Sequence, residues 1–374
     1  MTRFKVYILS LLLCSGLCSC HERTNAPEFQ GDTLVFSHAQ LLHVVRTDSF
    51  ALATIRDAWN PGKVLRQYLL LPHDAPVPAT APKATMVRIP ICRAVAFSSV
   101  HAALFAELNK QESLCGVCDT EYIYNKDLRR ALDEGRLSDM GSSMSPNIER
   151  LVSKRADALF ISPFENAGHG AIQQTGIPII ECADYMETSP LGRAEWMRFY
   201  GLLLGCEAEA DSLFAEVEQT YTALREVALK QKAKPTVLCD TKSGSAWYVP
   251  GGKSTMGQMF ADAGAHYLFA DREQSGSVCL SFEAVYQQAA KADFWLIKYG
   301  SAAHLTYESL SHEYKPYEAF SAWQDQNIYG CNTFCSPFYE ETPFHPERLL
   351  SDFVRIFHPQ LLPHYTPQYY HPLH

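Results

Sequence analysis

The chain opens with Arg3 and Lys5 ahead of a short apolar run, Val6 to Leu13, and residues 1–19 contain no acidic residue, the layout of a secretory signal. That run is too short to span a bilayer. From 30 to 72, apolar bursts at 34–36, 43–45, 50–52 and 68–71 alternate with polar positions, which predicts a few β-strands separated by turns. Residues 72–90 carry five prolines among small residues and read as an extended connector. Beyond Arg93 the pattern changes. Apolar strands at 94–97, 114–118, 158–161 and 177–180 are interleaved with helical periods near 101–109, 126–134, 147–154 and 170–175, predicting an α/β lobe on a largely parallel sheet. The style repeats between 235 and 340: strands at 236–239, 294–297 and 327–329, with helices near 255–264 and 282–291. Between the two sets, 207–232 keeps Leu213, Val217, Tyr221, Leu224 and Val227 on one helical period without Gly or Pro. At about 1.5 Å per residue, this rod of roughly 39 Å is long enough to cross from one lobe to the other. A last helix near 346–357 precedes a polar, aromatic, proline-broken tail expected to be partly ordered at best.

The expected fold class is therefore α/β: two Rossmann-like lobes joined by one long helix, behind a strand-rich N-terminal extension. The implied segments are a signal peptide (1–19), the extension and connector (20–90), an N-terminal lobe (91–206), the crossing helix (207–232), a C-terminal lobe (233–345) and a helix with tail (346–374). Composition narrows the function. With 374 residues, 47% of them apolar, and a net charge of −9, the chain buries an ample core and lacks the basic surface of a nucleic-acid binder. No nucleophile and base stand together, so no enzyme and no intrinsic cofactor are expected.

Twelve cysteines stand out. Leu17-Cys18-Ser19-Cys20 resembles the bacterial lipobox, which implies that Cys20 is acylated and becomes the new N-terminus, tethering an exported body on the periplasmic side of the inner or outer membrane. Nine cysteines then remain in an oxidising compartment, an odd number. Cys115 and Cys118 lie in an expected strand and read as buried thiols; Cys331 and Cys335 flank a loop and are better disulfide candidates.

Three local patterns carry a wider resemblance. Asp139-Met140-Gly141 is followed by Ser145-Pro146-Asn147-Ile148-Glu149-Arg150-Leu151 and then by Lys154-Arg155-Ala156-Asp157-Ala158-Leu159-Phe160-Ile161; Ser281-Phe282-Glu283-Ala284-Val285 precedes Ala292-Asp293-Phe294-Trp295-Leu296-Ile297; Gly252-Lys253-Ser254-Thr255-Met256 leads to Ala263-Gly264-Ala265. In order and spacing these resemble the periplasmic substrate-binding proteins of ABC importers that carry cobalamin, ferric siderophores and haem, over roughly residues 91–358. The resemblance implies a helical-backbone, monomeric receptor that binds an iron- or cobalt-containing chelate between its lobes and delivers it to a permease dimer with its ATPase. It places Glu149 and Glu283 on the two surface glutamates that dock on permease arginines. Bottom-up, both are also ordinary first-turn helix glutamates.

Ligands of open α/β sheets sit beyond the strand ends. That rule nominates Ser99, His101, Tyr122, Tyr124, Ser142, Ser143 and Glu165 from the first lobe, and Trp247, Tyr248, Tyr299 and Tyr339 from the second. The aromatic faces suit a large planar or macrocyclic chelate, and Arg193, Lys253 or Lys298 would meet its carboxylate or catecholate oxygens. His101 reads equally as a core or capping histidine. Where the cobalamin-binding member has a cleft Trp, this chain has Ser142 or Ser143. Two alternatives stand beside the chelate: a bare Zn²⁺ or Mn²⁺ ion held by His101, Glu165 and Glu340, or a surface lipoprotein that serves a partner and has no ligand of its own. Gly251-Gly252-Lys253-Ser254-Thr255 is not a phosphate loop, because the first glycine of that motif would fall on Trp247. The late histidines His345, His358, His364, His371 and His374 lack ligand spacing.

Overall fold

The computed structural model describes residues 31–79 and 81–374. The signal-peptide run and Cys20 lie outside the described residues. The extension forms a sheet of its own: Asp32–Leu34, Leu42–Arg46, Ala51–Arg56 and Val64–Pro72 pair antiparallel in chain order, and Thr85–Ile89 adds a parallel fifth strand. The proline-rich stretch is thus not a free connector. Its last residues complete the sheet, and Ala75, Ala81 and Ala84 fold back onto Phe50, Leu52, Leu69 and Leu71. The opposite face, Val44, Ala53, Ile55, Tyr68 and Leu70, belongs to the main core.

In the first lobe five parallel strands stand in the order Ile179–Glu181, Ala158–Ile161, Ala94–Ala96, Leu114–Val117, Ser138–Asp139. In the second, His266–Tyr267, Thr236–Cys239, Phe294–Tyr299 and Ile328–Asn332 are parallel, and His371–Pro372 closes the edge antiparallel. The tail is therefore built into the fold, against expectation. Asp352 accepts the backbone N–H groups of Gln368, Tyr369 and Tyr370 at 2.7–3.0 Å, and Tyr369 and Tyr370 are buried. A small antiparallel sheet, Lys242–Ser243, Ala246–Pro250 and Ser277–Leu280, flanks the second lobe.

The helices begin where polar side chains cap free N–H groups: Ser98 before Ser99–Glu107, Asn125 before Lys126–Asp133, Asn147 before Ile148–Ser153, and Ser281 before Phe282–Ala289. The rod anticipated over 207–232 runs from Glu207–Leu229. The helix before it, Pro190–Leu204, shows no amphipathic period in the sequence because it is buried nearly all round and offers no polar stripe. Glu195 lies wholly buried in that helix, and its carboxylate accepts the N–H groups of Ser37, His38 and Ala39 at 2.7–2.8 Å. Glu187 likewise accepts those of Gln40 and Leu41 and the Trp196 indole N–H. Tyr68 seals the outer strand of the first lobe, donating to Ile179 O and accepting from Glu181 N. All nine described cysteines are free thiols. Cys331 is buried and Cys335 exposed, so the suggested pair is not formed.

Candidate functional site

Two adjoining chambers open between the lobes. The larger, about 560 Å³, is lined mostly by the second lobe, with Asp240, Ser243, Tyr248, Met256, Met259 and Lys298, and is closed by Val100 and Arg193 from the first. The smaller, about 470 Å³, is lined mostly by the first lobe, with Phe97, Ser99, Tyr122, Tyr124, Ser143 and Met144, and is met by Thr333, Ser336 and Glu340. Val100 and Tyr339 border both. The chambers sit where strands end: Phe97 follows Ala94–Ala96, Asp240 follows Thr236–Cys239, and Lys298 lies near the end of Phe294–Tyr299.

Of the eleven nominated residues, Ser99, Tyr122, Tyr124, Ser143, Tyr248 and Tyr339 meet at these chambers. The other five do not. His101 points away from the cleft into the core, its Nε2 3.0 Å from Asp184 Oδ1 and its ring stacked on Tyr200. One residue of helical rotation separates it from Val100, which is a cleft residue. Trp247 is fully buried among Phe282, Trp295, Tyr317 and Phe320, and its indole N–H donates to Cys239 O. In a strand, adjacent side chains take opposite faces, so Tyr248 faces the cleft and Trp247 cannot. Tyr299 lines a separate cavity of about 510 Å³ against the C-terminal tail. Ser142 is exposed and accepts from Met144 N, and Glu165 is exposed beside the Phe164–Ala167 bridge; neither lines a chamber.

The cations also differ from expectation. Arg193 Nε donates to Asp184 Oδ2 at 3.0 Å, and Lys298 Nζ lies 3.0 Å from both oxygens of Asp240. Lys253 lies on the surface 3.6 Å from Glu273 and lines neither chamber. Burial pulls the His101 pKa down, but the nearby Cys182 sulfur and the Asp184 carboxylate outweigh it and carry it up to about 10. Asp184 is held below the usual carboxylate range, because His101 and Arg193 overcome its burial. Among the described residues no three His, Cys, Asp or Glu side chains converge to hold a metal ion.

The sequence did not nominate Asp240, Met256, Met259 or Val100 as ligand residues. Asp240 had a usable signal, an acidic residue directly after a parallel strand; the others are apolar helix residues indistinguishable from core.

A clasp joins the lobes beside the smaller chamber. Glu340 of the second lobe accepts the backbone N–H groups of Tyr124 and Asn125 at 3.1–3.3 Å, where the helix Lys126–Asp133 begins. The Tyr124 hydroxyl returns the contact, donating to Thr333 O and Phe334 O. Burial pushes the Glu340 carboxyl up to about 7, despite those N–H donors. His345 from the second lobe bonds Glu107 at the end of Ser99–Glu107.

Glu149 and Glu283 stand in the first turns of Ile148–Ser153 and Phe282–Ala289, both exposed. Hydrogen bonds from its own backbone N–H and from Ser281 hold Glu283 below the usual range.

Comparison with known proteins gives three results. The family model described as periplasmic binding protein matches residues 95–317. An uncharacterized lipoprotein of Methanocaldococcus jannaschii is 27% identical over 312 residues, 79% of this chain and 73% of that protein. Among solved structures, a possible iron-binding periplasmic solute-binding protein of Staphylococcus epidermidis superposes with TM-score 0.59 at 16% identity, covering 72% of this chain and 99% of its own. A protein of an ABC-type Fe³⁺-hydroxamate transport system from Saccharomonospora viridis does so with TM-score 0.56 at 18% identity, covering 72% and 94%. At these identities the structures establish the fold alone.

Proposed function

This chain belongs to the periplasmic binding protein family, and from that premise we propose that it is a non-enzymatic extracytoplasmic receptor for an iron- or cobalt-containing chelate. The lobes hold the chelate between them and present it to a membrane permease driven by an ATPase. One observation carries the reading. The two chambers meet at Tyr339 and take opposite walls from opposite lobes, so a single large ligand filling both would report lobe closure directly. Tyr122, Tyr124, Tyr248 and Tyr339 supply flat faces with polar tips, and Ser99, Ser143, Ser243 and Thr333 supply hydroxyls that orient a ligand without adding charge. A bare ion is poorly served, since His101 faces the core, Glu165 lines neither chamber, and Glu340 is committed to the clasp.

Glu149 and Glu283, one on each lobe, would steer the loaded receptor onto a cationic permease rim. The anchor at Cys20 would keep the receptor at the membrane. Among the described residues, no helix is long and apolar enough to cross a membrane.

The test is a titration of tyrosine and tryptophan fluorescence with ferric hydroxamate, haem and a corrinoid, on the parent protein and on Tyr339→Ala. The expected result is saturable quenching by one of them at about 1:1, weakened about tenfold in the variant, in line with the roughly 0.5–1.5 kcal/mol of a stacked aromatic contact beyond the apolar area it buries. Absence of quenching across the panel would sink the receptor reading. The double reversal Glu149→Lys with Glu283→Lys is expected to abolish uptake while leaving affinity unchanged.

A further inference from the structure

The chambers are polar as well as aromatic, yet neither has a cation to spare. Among the described residues that line them, Arg193 and Lys298 are the positive groups, and Asp119, Asp240 and Glu340 the negative ones. Lys298 is held by both oxygens of Asp240, and Arg193 by Asp184. Asp184 is completely buried and shared with His101, so pulling Arg193 away would leave a charged pair short of a partner inside the protein. Asp119 accepts the Ser143 N–H and has no cation beside it at the smaller chamber. An anionic chelate entering here gives up its hydration and meets carboxylates already in possession of the cations. A chelate with no negative charge loses far less, and the remaining N–H groups of Arg193 can still donate to its carbonyl or hydroxyl oxygens.

The smaller chamber adds shape to charge. Phe97, Val100 and Ile161 form its wall, while Tyr122, Met144 and Phe164 are 55–79% exposed at its mouth. Such a rim is costly in water unless an apolar ligand surface covers it.

Resting on the receptor reading above, we propose that the cargo is a metal chelate of zero or positive net charge that presents an apolar face to the smaller chamber. The chelates to compare are a neutral ferric trihydroxamate, a trianionic ferric tris-catecholate, haem with its two propionates, and a cationic corrinoid. Each is titrated by fluorescence quenching into the parent protein and into Asp240→Asn, whose folding is checked by its melting curve. Asn tolerates the left-handed backbone at this position (φ 56) while releasing Lys298.

The expected result is that the neutral or cationic chelate binds at least about tenfold tighter than the anionic ones, and that Asp240→Asn narrows this gap by about tenfold. Equal or tighter binding of the tris-catecholate or of haem by the parent overturns the charge assignment and leaves the receptor reading standing. Failure of all four to bind the folded parent overturns the receptor reading itself.

Discussion

The two lobes carry the same kind of sheet but finish its exposed edge differently. In the first lobe the outer strand Ile179–Glu181 is sealed by Tyr68 from the extension, which brings a whole sheet, part of the main core and the buried Glu195 and Glu187 anchors with it. In the second lobe the outer strand Ile328–Asn332 is covered by the two-residue strand His371–Pro372, fastened through Asp352. Both covers consist of segments beyond residues 95–317, the stretch that matches the family. An exposed parallel edge invites unwanted pairing, and here one lobe answers with a whole sheet on a broad apolar interface and the other with a short latch, whose backbone Asp352 holds while Tyr369, Tyr370 and Leu373 enter the core. The difference teaches that the extension is structural to the first lobe and not a separable appendage. It also ties the Pro190–Leu204 helix and, through Arg46–Glu207 and His38–Glu218, the crossing helix to the same body.

The sharpest way to break this contrast is Glu195→Ala. It strips three backbone N–H groups of their acceptor and leaves Arg198 without its buried partner, and is expected to lower the unfolding free energy by about 3–4 kcal/mol in urea titration. A loss below about 1 kcal/mol would mean the extension is loosely held.

Next in size is a pH ramp that His101 of the first lobe shares with His345, whose pKa burial lowers but its Glu107 and Glu347 partners carry up to about 9. His101 has a folded pKa of about 10 against an unfolded value near 6.5, so the stability it contributes is fully present below about pH 6.5 and is lost as pH rises through about 10. Through His101 the parent protein should lose roughly 3 kcal/mol between pH 7 and 10, and His101→Gln should reduce that slope by the same amount. An unchanged slope in the variant would assign the ramp to other groups.

The latch of the second lobe should cost less. Asp352→Ala is expected to destabilise by about 2 kcal/mol, with amide exchange accelerated in 365–374 and unaltered in the extension. Global loosening would erase the distinction between the two covers.

A comparable effect, and then the smallest one, concern the clasp where the lobes meet. Glu340, raised to about 7, contributes stability that is present below the ordinary carboxylate pKa and is lost as pH rises through about 7. Glu340→Gln should remove roughly 2 kcal/mol of pH dependence between pH 5 and 8, read from melting curves. Tyr124→Phe should cost about 1 kcal/mol at every pH.

Hydrophobic period and caps settled most of the local structure in advance. The strands Ala158–Ile161 and Thr236–Cys239 and the helix Pro346–Phe357 fall where alternation and periodicity put them, because local patterning alone decides where an apolar segment of that length is satisfied. Motif order likewise carried the two-lobed fold and the family. The helix Pro190–Leu204 was invisible because an all-apolar surround leaves no period to read.

What only the tertiary structure decided is which face of each element meets solvent, core or cleft. His101 beside Val100, and Trp247 beside Tyr248, differ by one residue in sequence and by opposite surroundings in space. The pairing of Arg193 with Asp184 and of Lys298 with Asp240 joins residues 9 and 58 positions apart. No local propensity encodes such partners; long-range packing selects them, because a buried charge is stable only where the fold brings it a counter-charge.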